Sequence, residues 1–302
     1  MQNIKLLLLT FVVFLSSCRV FQRSPRNEAH IATVNNNVCK KLTGKTVLYA
    51  IFVDSRYTNP WTTYDINSTK DSIKKAIYWI EQQAKSNNVN LNIELDYHKN
   101  DKRIIPIENN LPKKTLSSSL FSSSGVSTKN IDRWADKIGK KALEIYGKDT
   151  STVTNTKIKP KDRERLIARL RDIHKTDNVA LIYFINNYYS DEISVALHIG
   201  FDDNPEYAIV SFKNPSVIAH EFLHLFGALD LYHSPFDRKR KTRKRKEFVK
   251  KHFPNEIMAF PYRNLDSLNI SPITKYLVSW DNELSVEHEQ MLFGKKIKAA
   301  KY

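Results

Sequence analysis

Residues 220–232 read HEFLHLFGALDLY, a stretch that restricts the fold more tightly than any other in the chain. His220 and His224 are four apart, so a helix brings both imidazoles out on the same face, one turn apart. Val217, Ile218, Phe222, Leu223, Leu225 and Phe226 surround them, so this helix packs into a core around a polar face. Gly227 ends it, because a glycine at a helix C-terminus accepts positive φ and lets the chain reverse at once. The reversal delivers Asp230 as a third ligand. Glu221 stands beside the first histidine, placed to hold a water without itself binding a metal. Two imidazoles and one carboxylate leave a fourth tetrahedral position open, the arrangement of a catalytic zinc site with Glu221 as general base. His233 is the rival third ligand, but the spacing that a glycine turn delivers favours Asp230. The competing reading is a core helix with two hydrogen-bonded histidines. It has to accept five fixed positions that coincide by chance in roughly one such chain in tens of thousands.

His220-Glu221-x-x-His224-x-x-Gly227-x-x-Asp230 resembles the metzincin zinc-peptidase signature, with Asp in place of the usual third His. The Asp variant is similar to snapalysin-type and immune-inhibitor-A-type bacterial peptidases. Metzincins also carry a Met-turn beneath the metal, and Asn255-Glu256-Ile257-Met258-Ala259 fits it, with Met258 as the turn methionine. The resemblance implies an α/β (α+β) zincin domain: a twisted mixed sheet with an antiparallel edge strand, an active-site helix, a Met-turn and a C-terminal helix. The edge strand would be residues 195–199, lining a substrate cleft. The C-terminal helix would be residues 273–280, opened by Ser271-Pro272. The implied activity is Zn2+-dependent endopeptidase hydrolysis of a protein or peptide substrate. Several metzincins place Tyr two residues after the Met; here that position is Phe260, and Tyr262 lies two further on. Two other functions suit the same residues: a peptidase-like surface protein that binds without turnover, and a zinc amidase acting on cell-wall peptide. Intact Glu221 argues against the binder, which has no need of a base.

Residues 1–17 have one Lys at position 5, an apolar run from Leu6 to Leu15, then Ser16 and Ser17. This is an export signal, too short to span a membrane. The ending Leu15-Ser16-Ser17-Cys18 resembles the bacterial lipobox, which implies lipidation of Cys18 (palmitate among the acyl chains) and a lipoprotein of the cell envelope, on the outer membrane in a Gram-negative cell. No later stretch is long and apolar enough to span, so the acyl chains are the expected membrane anchor. Residues 18–44 read as a tether and 45–302 as the catalytic domain. With 41% hydrophobic residues the chain folds despite a net charge of +16, which excludes disorder. Two cysteines exclude a disulfide framework. Cys39 reads as a plain buried thiol, with a latency cap on the metal as the alternative.

Within the domain, residues 47–53 are a continuous apolar strand, and a helix follows Ser68, capped with Asp71 three residues on. Leu91 to Leu95 alternates as a strand exposed on one side. Residues 101–126, with two serine triplets, read as a loop. Helices are predicted over 128–146 and from Pro160, with Ile145 and Ile173 among their inward residues. Strands are predicted over 179–185, 195–199 and 207–212, the last two joined through the turn-rich residues 201–205. Residues 238–246 (RKRKTRKRK), opening on Arg238 and closing on Lys246, read as a solvated excursion near the cleft, able to meet anionic lipid or an acidic partner. Nucleic acid is not expected, since no aromatic interleaving or recognition module accompanies the run.

Overall fold

A computed structural model describes residues 41–55, 58–98, 104–107, 126–146, 161–186, 194–197, 207–211, 213–232 and 240–293. Its centre is strand β1 (Gly44–Ser55), in which Thr46 through Val53 are all buried. A run buried on both faces suits a parallel sheet covered by helices. β4 (Asn178–Ile185) pairs parallel along one side of β1, from Thr46 opposite Asn178 to Val53 opposite Ile185. The other side of β1 is shared in series by β2 (Leu91–Tyr97) and β3 (Ile104–Ile107), both parallel. Beyond β4 lie β6 (Tyr207–Val210), parallel, and then β5 (Ser194–Leu197), antiparallel, at the edge. The fold is therefore mixed α/β, a mostly parallel sheet with one antiparallel edge strand, and the described residues include seven α-helices.

Helix α1 (Thr63–Ser86) starts earlier than the reading from Ser68. Thr62 and Asp65 make the cap: the Asp65 amide donates to the Thr62 hydroxyl at 3.1 Å, and the Thr62 amide donates back to the Asp65 carboxylate at 3.2 Å. Ser68 and Thr69 lie inside the helix, their hydroxyls donating to the Asp65 carbonyl. Helices α2 (Val126–Leu143) and α3 (Asp162–His174) pack against each other. A Cβ on Gly139 would sit 2.9 Å from the Arg163 backbone nitrogen, so the approach there is closer than any side chain allows. Ile145, in the 3₁₀ turn after α2, and Ile173, near the end of α3, are exposed rather than inward. In each last turn the next residue takes the sheet contact instead: Tyr146 bonds Tyr49 of β1, and His174 bonds Glu94 and Asp96 of β2.

β3 corrects the reading of 101–126 as loop; Val126 opens α2, and residues 101–103 and 108–125 lie outside the described ones. Pro106 hides the strand in sequence, yet among the described residues β3 pairs only with β1, and a strand with an unpaired side tolerates a missing N–H. The basic run is helical, with Arg243 and Lys244 solvated as read, while residues 238–239 lie outside the described ones. Residues from Arg240 on form helix α5 (Arg240–His252), held by buried Lys246 and Val249. The predicted C-terminal helix is shorter than expected: α6 (Pro272–Leu277) stops before Ser279, which has positive φ. An unanticipated helix, α7 (Val286–Phe293), follows. Leu42, fully buried, donates its amide to the Val278 carbonyl at 3.0 Å and accepts the Trp280 indole N–H at 2.6 Å. These bonds tie the start of the sheet to the end of α6. No described helix is long and apolar enough to cross a membrane.

Candidate metal centre

Helix α4 (Pro215–His224) follows β6 and carries the two histidines. Asn214 caps it, accepting from the Ser216 amide at 3.1 Å, and Pro215 takes the first turn, where no N–H is needed. The Ser216 hydroxyl donates to the Pro261 carbonyl at 2.6 Å, which joins the head of α4 to segment 255–262. At the other end the helix stops at once. Gly227 has φ +96°, and the Ala228 amide bonds back to the Leu223 carbonyl at 3.2 Å. A Cβ at Gly227 would lie 3.1 Å from the Leu277 carbonyl oxygen, so both conformation and space require glycine there.

The reversal brings Asp230 back onto the histidines. Its Oδ1 lies 3.2 Å from His220 Nε2 and 3.0 Å from His224 Nε2, and the two Nε2 atoms are 3.0 Å apart. Three donor atoms thus converge, and they are the one such cluster of His, Cys, Asp and Glu among the described residues. A tetrahedral zinc with bonds of ~2.0–2.1 Å spaces its ligands by about 3.3 Å, close to these separations. The outer nitrogens settle the tautomers. His220 Nδ1 faces the Ile257 carbonyl at 3.2 Å, and His224 Nδ1 faces that of Ala228 at 2.7 Å. A carbonyl only accepts, so each Nδ1 carries hydrogen and each neutral ring keeps its Nε2 lone pair for the centre. Two lone pairs and a carboxylate oxygen at such distances repel unless a cation lies among them. Burial opposes a charged His224, yet the Asp230 hydrogen bond and charge, with Glu221, push its pKa up to about 9. Burial likewise opposes ionised Asp230, but both imidazoles hold its carboxyl far below the usual range.

Glu221, next to His220 on α4, is buried, and its charge is felt at His224. Segment 255–262 forms the floor. Met258 is fully buried, its carbonyl accepts the Leu231 amide at 2.9 Å, and the preceding carbonyl, Ile257, orients His220. The segment therefore supports both His220 and the stretch of chain bearing Asp230.

Sequence reasoning missed two residues. Glu256, fully buried, accepts hydrogen bonds from the Met258 amide at 3.1 Å, the Thr274 hydroxyl at 3.0 Å and the Ser271 amide. Burial pushes its carboxyl above the ordinary value despite those donors. A lone acid inside Asn255-Glu256-Ile257-Met258-Ala259 was the available signal. Tyr232 is the other. Its ring centroid lies 6.3 Å from that of His220, and its hydroxyl bonds Asp230. Phe260 is stacked beneath the Arg263 guanidinium at 4.0 Å, and Tyr262 is largely exposed. His233, Cys18 and Cys39 lie outside the described residues. Residues 195–197 do lie in an antiparallel strand at the sheet edge, as read from the sequence, and this strand, β5, passes alongside α4. Searches with this chain against protein-family models, curated proteins and solved structures return no match.

Proposed function

We propose that the chain is a zinc-dependent endopeptidase of metzincin-like architecture, held at the bacterial cell envelope by acyl chains on Cys18. The observation that carries the reading is the convergence of His220 Nε2, His224 Nε2 and Asp230 Oδ1, with both Nδ1 atoms committed to carbonyls. That donor set fits zinc, which when bound supplies Lewis acidity, acidifying water and polarising a peptide carbonyl. Glu221 takes the proton of the attacking water and passes it to the leaving amine. Its burial beside His220 keeps the carboxylate in place for both transfers. An extended peptide adds to the outer edge of β5, unpaired among the described residues, by backbone hydrogen bonds, so the chain beside α4 aligns the scissile bond with Glu221.

The test is Glu221→Gln. The amide keeps the carboxylate's size but cannot accept the proton, so peptide hydrolysis should fall by at least ~10²–10⁴-fold with zinc content unchanged. Wild type that hydrolyses no peptide in a broad library, while still binding zinc, would contradict the endopeptidase reading. Cleavage confined to cell-wall peptide would redirect it to an amidase.

A further inference from the structure

Helix α5 holds the densest positive charge in the described chain, and it stands beside the candidate centre. Its sequence, RKTRKRKEFVKKH, has no reason to be helical in isolation, since like charges one turn apart repel. Packing holds it. Val249 is fully buried, Lys246 is buried to 7% exposure, and Phe248 stacks on His252 at 4.3 Å and meets Phe253 and His288. The Lys246 ammonium lies 6.0 Å from the Tyr232 ring, and Tyr232 bonds the ligand Asp230. One face of the helix is thereby fixed against the rim of the metal centre.

The opposite face presents Arg243, Lys244, Lys250 and Lys251 to solvent, with Glu247 between them. At 1.5 Å per residue the four cations span ~12 Å, the length of about four residues of extended peptide. A helix that binds membranes inserts an apolar face into lipid; here Val249 and Phe248 are spent on the core. We infer that this cationic face of α5 recognises acidic residues flanking the scissile bond, so that the preferred substrates are polypeptides with an Asp- or Glu-rich stretch. The inference rests on the peptidase reading for its position beside the cleavage site, but the charge recognition can be measured without turnover.

The experiment uses the full lipidated chain reconstituted in phosphatidylcholine vesicles, with three labelled peptides that share one core and carry four Glu, four Gln or four Lys beside it. Binding is read by fluorescence anisotropy on Glu221→Gln, and kcat/KM on wild type. The Glu-flanked peptide should bind roughly tenfold tighter than the Gln-flanked one, because several weak exposed pairs act together. Molar salt should erase the difference, since screening then acts within ~3 Å. The double variant Lys250→Glu/Lys251→Glu should shift preference toward the Lys flank, with zinc content as the control. Equal binding of Glu- and Gln-flanked peptides, or a preference that survives charge reversal, overturns the inference. So does a preference abolished when phosphatidylglycerol replaces a third of the lipid, because the face then serves the membrane. Acidic preference in binding without cleavage of any peptide upholds the role of α5 and counts against the peptidase reading alone.

Discussion

With Nδ1 of His220 and His224 both turned to carbonyl oxygens, the two imidazoles keep their Nε2 lone pairs for whatever lies between them and Asp230. That His220 and His224 share one helix face with Glu221 beside them was legible in the sequence because helical spacing is a local property. The carbonyls of Ile257 and Ala228 were not, since backbone groups leave no mark on side-chain pattern and Ile257 is 37 residues from its partner. Glu256 is the sharpest omission. Its carboxylate gathers donors from Met258, Ser271 and Thr274, and so fixes the floor beneath both His220 and Asp230. Glu256→Ala would leave three buried donors without an acceptor, at a cost of about 3 kcal/mol or more. Urea unfolding should show that loss, and zinc affinity should weaken with it. A variant with unchanged stability would mean that the carboxylate is incidental to the floor.

Helix α4 depends on its end more than on its body. At Gly227 a side chain meets both a positive φ and the Leu277 carbonyl. Gly227→Ala should destabilise by roughly 1–2 kcal/mol from backbone conformation alone, with a further loss as Leu277 shifts. Because Asp230 follows by three residues, zinc affinity should drop more than fold stability. Isothermal titration beside thermal melts separates the two, and equal losses would show that the turn does not position the ligand. Elements whose signal is a continuous apolar run, such as β1 and β4, were read directly. The start of α1 was misplaced because Thr62 with Asp65 and Ser68 with Asp71 are equivalent boxes in sequence, and only packing chooses between them. β3 escaped because Pro106 breaks a four-residue strand that exists only through its partner β1. α5 escaped because the core, not propensity, makes it a helix.

The described sheet is organised around β1, whose two sides recruit β4 and, in series, β2 and β3, leaving β5 as the edge strand among the described residues, next to α4. The order of strands could not be read from the sequence, since pairing is set by long-range contacts; the alternation of strands and helices could. The end of β2 carries a pH sensitivity. His98 is buried, with Nδ1 3.4 Å from the Tyr49 hydroxyl, and burial holds its pKa below the ordinary 6.5. The unfolded chain therefore takes up this proton first. Its contribution is present above pH 6.5 and is lost as pH falls toward the folded value. Glu94, held low by the Lys45 hydrogen bond against burial, adds a second loss below its ordinary 4.5. Melting temperature should fall between pH 7 and 5, and His98→Gln should narrow that fall; an identical fall in the variant would assign it elsewhere. The central claim is that three side chains drawn together by one glycine turn hold one metal ion. Elemental analysis of gently purified protein, with X-ray absorption at the metal edge, tests it most directly. The account predicts about one zinc per chain, ligated by two imidazoles, and lost in Asp230→Ala. A chain without transition metal, or zinc retained undiminished in Asp230→Ala, would contradict it.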